Sequence, residues 1–382
     1  MPAKRKYNVF ESDKMVARAQ VDEIITQARE SKKGIFILEG GRGAGKTCAL
    51  LSLYHHYLQE AKTKVFFVGL FPYKAPEFSS KDNIWLSQDE KFTKKDIPNL
   101  LKKITKYLGV DFIEALDDEN RREYLAQQLA QRISEDKTIL LVDSIYECDE
   151  SVRKEIENNI LTPLLSSNAV SIILSGRGKR PIWTAPEFRE AQYVQLISPG
   201  EEFVQEQLKK LGSKHLHQWK KILDWSGGCP LVVRILGESE EISRKVLGDA
   251  VDILIRETLK EGLPESEYAS IHKTLQRLAL LRSPFRELDV EQYLFGDKPE
   301  RRSETNRMMQ RLLESNLLEW DDTGSRRGYR IDQTIAYSLR VWVEQDANLL
   351  AQYQQDWEKS VKTIKENYPS VKLEEYQSMI TH

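Results

Sequence analysis

Residues 34–61 read GIFILEGGRGAGKTCALLSLYHHYLQEA. The first six residues form a short apolar run with the look of a buried strand, and residues 47–61 carry apolar side chains at helical spacing. Between them GGRGAGKT fits G-x-x-x-x-G-K-[ST], with Gly40, Gly45, Lys46 and Thr47 at the required places. Each position has a chemical reason. Glycines let backbone N–H groups curl around phosphate oxygens, and the helix that follows presents its positive end to them. Lys46 is placed to reach β- and γ-phosphates, and the Thr47 hydroxyl to hold Mg²⁺. The nucleotide-binding residues expected from this loop are Gly40, Gly41, Arg42, Gly43, Ala44, Gly45, Lys46, Thr47 and Cys48.

Outward from the loop, apolar strand-like runs at 64–71, 138–143, 169–176 and 193–198 alternate with helical patterns at 96–107, 119–134 and 151–166, and a polar loop is expected from 72 to about 95. Buried strands alternating with helices predict an α/β domain with a parallel sheet covered on both faces, spanning 1–200. From 201 to 262 the pattern is helical. From 263 to 345, helices at 268–281, 288–294 and 303–315 precede NLLEW, a turn DDTGSRR and GYRID, the order of a winged helix. Residues 346–382 read as a polar helical segment, in which Trp357 and Tyr368 are candidates to dock the tail or to bind a further domain. The stripe Phe203, Val204 and Leu208 reads as core.

A nucleotide-bound metal needs a second acidic contact, and Asp143 supplies it at the carboxyl end of an apolar strand, where ligands of such sheets bind. Thr47 and Asp143 are therefore the expected Mg²⁺ residues. Transfer of a phosphoryl group to water also needs a group that orients the nucleophile. Ser144, directly after Asp143, cannot act as a base near neutral pH. Glu147, Asp149 and Glu150 are the nearest carboxylates, and Glu147 is the better placed. Slow turnover is the natural expectation. At the end of the fourth strand, Ser175 is placed beside a γ-phosphate and Arg177 to stabilise charge on the transferred group. Lys46, Asp143, Glu147 and Arg177 form the expected catalytic set.

The bulk composition narrows the classes. There are 57 Lys+Arg against 59 Asp+Glu, a net charge of −2, which gives no global reason to expect nucleic acid or an anionic membrane as the main partner. Three dispersed cysteines, Cys48, Cys148 and Cys229, fit free thiols in a reducing compartment, and the six histidines show no metal-ligand spacing. No stretch approaches the roughly 20 apolar residues of a membrane span, and the basic N-terminus, with Lys4, Arg5 and Lys6, lacks a signal-peptide core. A cytoplasmic protein without a membrane role is expected.

Residues 225–237 read WSGGCPLVVRILG, a turn and a helix whose first position suits Pro230. Phosphate loop, acidic strand end, Ser/Arg strand end, Gly-x-Pro helix and winged helix, in that order from about Phe10 to Trp342, resemble the STAND class of signal-transducing P-loop ATPases. That class includes apoptosome scaffolds, NLR immune receptors and anti-phage sensors. The resemblance implies an ATP/ADP-dependent switch in a signalling or defence system. It also implies that the nucleotide state controls domain opening and homo-oligomerisation, and that Pro230 packs near the nucleotide base. Ser175-Gly176-Arg177 is similar to the class's sensor triplet with one residue exchanged. Relatives place a histidine against the β-phosphate of ADP where this chain has Ile331-Asp332-Gln333, so the usual contact is expected to be absent or rearranged. No effector domain is expected before the loop, and only residues 346–382 are left after the expected winged helix. Either the natural chain is longer, or sensor and effector are separate polypeptides.

Two other readings stay open. One is an active AAA+-type ATPase that binds DNA through its winged helix, where Arg301, Arg302, Arg307, Arg311, Arg326, Arg327 and Arg330 lie among Glu304, Glu314, Glu319, Asp321 and Asp322. The other is a scaffold that binds nucleotide only for stability.

Overall fold

The computed structural model describes residues 15–369, apart from 31–32, 71–80, 88–91, 112–117, 133–136, 166–168, 257–258, 260–263, 297–300, 322–326 and positions 179, 198 and 282. The basic tail Lys4–Lys6, Asp322 and Arg326 lie outside the described residues. Contacts divide the chain into two compact units, one of Met1–Gly40 with Gly45–Ile197, the other of Gly41–Ala44 with Ser198–His382.

In chain order the first unit holds α1 (Ala19–Glu30), β1 (Gly34–Glu39), α2 (Lys46–Gln59), β2 (Thr63–Gly69), β3 (Ile84–Leu86), α3 (Ile97–Leu108) and α4 (Asp118–Arg132). It continues with β4 (Lys137–Asp143), α5 (Glu150–Ile156), α6 (Thr162–Leu165), β5 (Val170–Gly176) and β6 (Gln192–Gln195). The six strands form one sheet in the order β3-β2-β4-β5-β1-β6, with every pairing parallel. Strand alternation splits the apolar runs between two cores. Phe36, Leu38, Val65, Phe67, Leu141 and Ile173 pack with α1 and α2, while Ile35, Ile37, Phe66, Val68, Val142 and Leu174 pack with α3, α5 and α6. This is the two-sided burial that near-continuous apolar strands require.

Two elements escape the sequence pattern. The helix α1 precedes the quoted stretch, and β3 is a three-residue strand inside the segment expected to be a polar loop. Ile84 and Trp85 are buried there because β3 pairs with β2. A strand of three residues is too short to show a period of two. The helix expected over 151–166 is broken by a π-helical turn, Glu157–Leu161. There the fully buried Glu157 accepts the N–H groups of Thr184 and Ala185, each at 2.6 Å, and so fastens the segment that follows β5.

The second unit holds α7 (Glu201–Lys210), α8 (Trp219–Ser226), α9 (Pro230–Glu238), α10 (Arg244–Arg256), α11 (Glu265–Leu278), α12 (Glu287–Phe295) and α13 (Arg301–Glu314). These are followed by an antiparallel hairpin, β7 (Leu318–Asp321) with β8 (Gly328–Ile331), and by α14 (Gln333–Glu344) and α15 (Ala347–Asn367). Gly227 ends α8 with φ 57° and Pro230 opens α9. Helix α14 lies against α10 and the end of α8. The Tyr337 hydroxyl donates to the Asp224 carbonyl at 2.8 Å, and Arg244 donates to the Trp342 carbonyl at 3.1 Å while pairing with Asp346 at 2.8 Å. Trp357 is buried within this unit against Tyr293, and Tyr368 is 41% exposed. No described helix is long and apolar enough to cross a membrane.

Phe36, fully buried on the α2 side of the sheet, tests this core. Phe36→Ala is expected to destabilise the first unit by about 3–5 kcal/mol, read as a lowered urea midpoint with little change in slope.

Candidate functional site

The strand order puts the carboxyl ends of β4, β5 and β1 side by side. Glu39 pairs with Gly176 and Val142 with Leu174, so Asp143, the last residue of β4, lies beside Ser175, the last but one of β5. Thr47, the second residue of α2, donates its hydroxyl to Asp143 Oδ2 at 2.6 Å, and the Ser175 hydroxyl donates to Oδ1. Asp143 is 1% exposed, and polar oxygens so deeply buried need hydrogen-bond partners of this kind. Lys46 Nζ donates to the Gly40 carbonyl at 2.8 Å. Gly45, at φ 88°, precedes α2 and brings no side-chain cap to its N-terminus. A hydroxyl and a carboxylate in direct contact are the hard oxygen donors that suit Mg²⁺, so Thr47 and Asp143 fit the ion the motif implies. Cys48, on the same helix, accepts from the Ser52 hydroxyl through its carbonyl.

Beyond Asp143 the backbone turns sharply. Ser144 takes the left-handed conformation, φ 67° and ψ 36°, and its N–H donates to Ser175 Oγ at 3.0 Å. A 3-10 turn, Ile145–Glu147, follows and carries Glu147 back towards the strand ends, whereas Asp149 and Glu150 are exposed. The Glu147 side chain is 14% exposed, with Oε1 3.9 Å from Arg177 Nε. Its Oε2 is buried and has no hydrogen-bond partner among the described residues. Burial pushes the Glu147 carboxyl above the ordinary glutamate range. The charges of Arg177 and Lys46 oppose that rise and Asp143 adds to it. Lys46, Asp143, Glu147 and Arg177 are thus brought into one electrostatic neighbourhood. Ser175, expected beside a γ-phosphate, is bonded to Asp143 and to the Ser144 N–H.

A group the sequence reading passed over adjoins this site. Glu39, at the end of β1, receives the Tyr146 hydroxyl at 3.0 Å and a two-pronged Arg180 guanidinium at 2.8 and 2.7 Å. The available signal was a carboxylate ending an apolar strand one residue before the glycine loop. Burial and the Glu39 carboxylate together raise the Tyr146 phenol far above its ordinary value.

Within the second unit, the Arg42 N–H donates to Asp332 Oδ2 at 2.9 Å, and Asp332 Oδ1 receives the Thr334 and Ile335 N–H groups at 3.1 and 3.2 Å. Asp332 is the N-cap of α14 and is 5% exposed. A methyl group at Gly41 would stand 2.8 Å from Thr334 Oγ1. The Cys229 thiol lies 3.6 Å from the Gly43 carbonyl. Pro230, next to it, uses its carbonyl to receive Gln207 Nε2 at 2.8 Å.

No protein-family model and no curated protein matches the chain. Among solved structures, Cdc6p from Pyrobaculum aerophilum is similar at 12% identity and TM-score 0.39, over 88% of this chain and 93% of that one. The Aeropyrum pernix ORC1 protein in complex with DNA is similar at 12% identity and TM-score 0.39, over 87% and 93%. The Thermotoga maritima RuvB Holliday junction branch migration motor is similar at 14% identity and TM-score 0.37, over 85% and 96%.

Two outcomes follow from these environments. The folded state holds the Glu147 proton more tightly than the unfolded chain does. Its favourable contribution is therefore complete below the ordinary glutamate range and lost as pH rises through the raised folded value. Glu147→Gln is expected to be more stable than the parent at neutral pH, with the gap closing towards pH 4, in urea titrations across pH. Asp332→Ala removes the α14 cap and is expected to lower stability by about 1–2 kcal/mol, with Asp332→Asn recovering part of the loss.

Proposed function

We propose that this chain is an ATP/ADP-binding switch of the STAND type, with a winged-helix module in its second unit and slow ATP hydrolysis. The phosphate loop, the Lys46 ammonium and the Thr47–Asp143 pair support binding of a nucleotide with Mg²⁺. When bound, the ion supplies charge neutralisation at the phosphates. The observation that carries the switch is the bond from the Arg42 N–H to Asp332. The phosphate loop already holds a carboxylate from the start of α14, and a carboxylate and a phosphate at one loop repel each other. The phosphate content of the nucleotide therefore bears on whether this bond persists, and a ligand shifts a two-state equilibrium by its differential affinity for the states.

In the hydrolytic step Glu147 takes a proton from a water molecule as the oxygen of that water bonds to the γ-phosphorus. The bond from that phosphorus to the β,γ-bridging oxygen breaks, releasing ADP and inorganic phosphate. On this reading the open state assembles into homo-oligomers, and a separate sensor or effector protein supplies the signal and the output in a signalling or defence system. Three free cysteines fit a cytoplasmic setting.

A second reading, DNA-associated ATPase, is favoured by α13, whose exposed face presents Arg302, Ser303, Asn306, Arg307 and Gln310. These side-chain types suit phosphates and base edges. The nearby hairpin argues the other way, because Arg330 is paired with Glu319 at 3.4 Å and Asp321 at 3.3 Å.

The test is the nucleotide released from freshly purified protein by denaturation, with its occupancy per chain, alongside the assembly state of Lys46→Ala. Near-stoichiometric ADP or ATP and a variant that neither binds ATP nor assembles support the switch. An empty site with normal assembly refutes it. Duplex DNA binding that falls steeply with salt and weakens in Arg307→Ala would move the assignment to the second reading.

A further inference from the structure

Ser175 and Gly176, the last two residues of β5, and Arg177 directly after them each engage one residue of the turn after Asp143. Ser175 Oγ receives the Ser144 N–H at 3.0 Å. Gly176 lies under the ring of Tyr146, so close that a methyl group there would stand 2.2 Å from Tyr146 Cγ. Arg177 pairs with Glu147 across 3.9 Å. Ser144 is a non-glycine residue at φ 67°, a backbone that must be held by its surroundings. What the three contacts jointly fix is the path from Asp143 to Glu147, and Glu147 ends that path with Oε2 buried and without a hydrogen-bond partner among the described residues.

We infer that Ser175, Gly176 and Arg177 are positioning residues for Glu147: together they clamp the turn Ser144–Glu147 and hold its terminal carboxylate where it can take the proton of the attacking water. The inference rests on the nucleotide-hydrolysing reading above and changes one part of it, because Arg177 then acts through Glu147 and not on the transferred phosphoryl group. It also accounts for Ser144 standing directly after Asp143. The carboxylate is delivered one 3-10 turn later, and the left-handed bend at Ser144 makes that delivery possible. Among the described residues, the charged groups that act on the Glu147 carboxylate are Arg177, directly after β5, Lys46 from α2 and Asp143 from the end of β4.

The experiment is a double-mutant cycle on the full chain, with single-turnover ATP hydrolysis and ADP affinity by calorimetry measured for each protein. Glu147→Gln is expected to lower the hydrolysis rate about 100-fold or more, the usual scale for a lost general base. Arg177→Ala is expected to lower it about tenfold or more with ADP affinity unchanged, as for a misplaced catalytic group, and Arg177→Lys, which keeps the positive charge, to recover part of that loss. In the Glu147→Gln background, Arg177→Ala is expected to cause no further loss. Gly176→Ala, which forces Tyr146 away, is expected to act on the rate in the same direction.

An Arg177→Ala loss that persists undiminished in the Glu147→Gln background would overturn the inference, because Arg177 would then act on the phosphates directly. A parent protein that binds ADP but shows no single-turnover hydrolysis, or a Glu147→Gln variant with parental rate, would overturn it too while leaving the nucleotide switch standing. Absence of ADP binding in the parent would instead remove the underlying reading.

Discussion

Asp143 is the constraint around which the first unit is arranged. Its carboxyl group is 1% exposed, and oxygens so placed each need a hydrogen-bond donor. Two such donors come from different elements, Thr47 on α2 and Ser175 near the end of β5. Satisfying one carboxylate therefore fixes the start of α2 and the end of β5 relative to β4. The same arrangement gathers the oxygen donors that a phosphate-bound cation would use, so burial energetics and ligand chemistry ask for the same geometry.

That convergence depends on strand order. Asp143 and the phosphate loop belong to strands that are not adjacent, because β5 lies between β4 and β1. The inserted strand brings Ser175, Gly176 and Arg177 to the middle of the site, each within reach of the turn after Asp143. In a sheet with β4 directly beside β1, the same residues would lie at a distance, and Ser144 would lose the hydroxyl that receives its N–H. The buried Glu157 and its bonds to Thr184 and Ala185 extend this control to the segment leaving β5.

The second unit follows a similar economy of polar groups. Asp332 caps α14 through two N–H groups and gives its other oxygen to the Arg42 N–H. One side chain thus serves both a helix terminus, where an acceptor is needed, and the backbone of the phosphate loop. Gly41 has no side chain because Asp332 and Thr334 occupy the space beside it. Tight packing of α14 on α10 has the same signature at Gly248, where a methyl group would stand 2.9 Å from Trp342 Nε1.

Periodicity and motif spacing were enough to read the long strands, their parallel sheet, the phosphate loop and the Asp143 strand end. Those features are local: an apolar run, a glycine spacing and a helical repeat carry their meaning within a few residues. The short strand β3 and the π turn at Glu157–Leu161 were not legible, because pairing with β2 and a buried contact to the next segment define them. Glu147 was legible as a candidate by its nearness to Asp143, but its burial and its pairing with Arg177 were not. Asp332 was legible as an unexpected charge, and the N–H groups it would meet were invisible. The sequence by itself determined which chemistry-bearing residues end which strands. Only the tertiary structure decided who faces whom, because strand order, the left-handed bend at Ser144 and the contacts of β5 are set by packing between segments far apart in the chain.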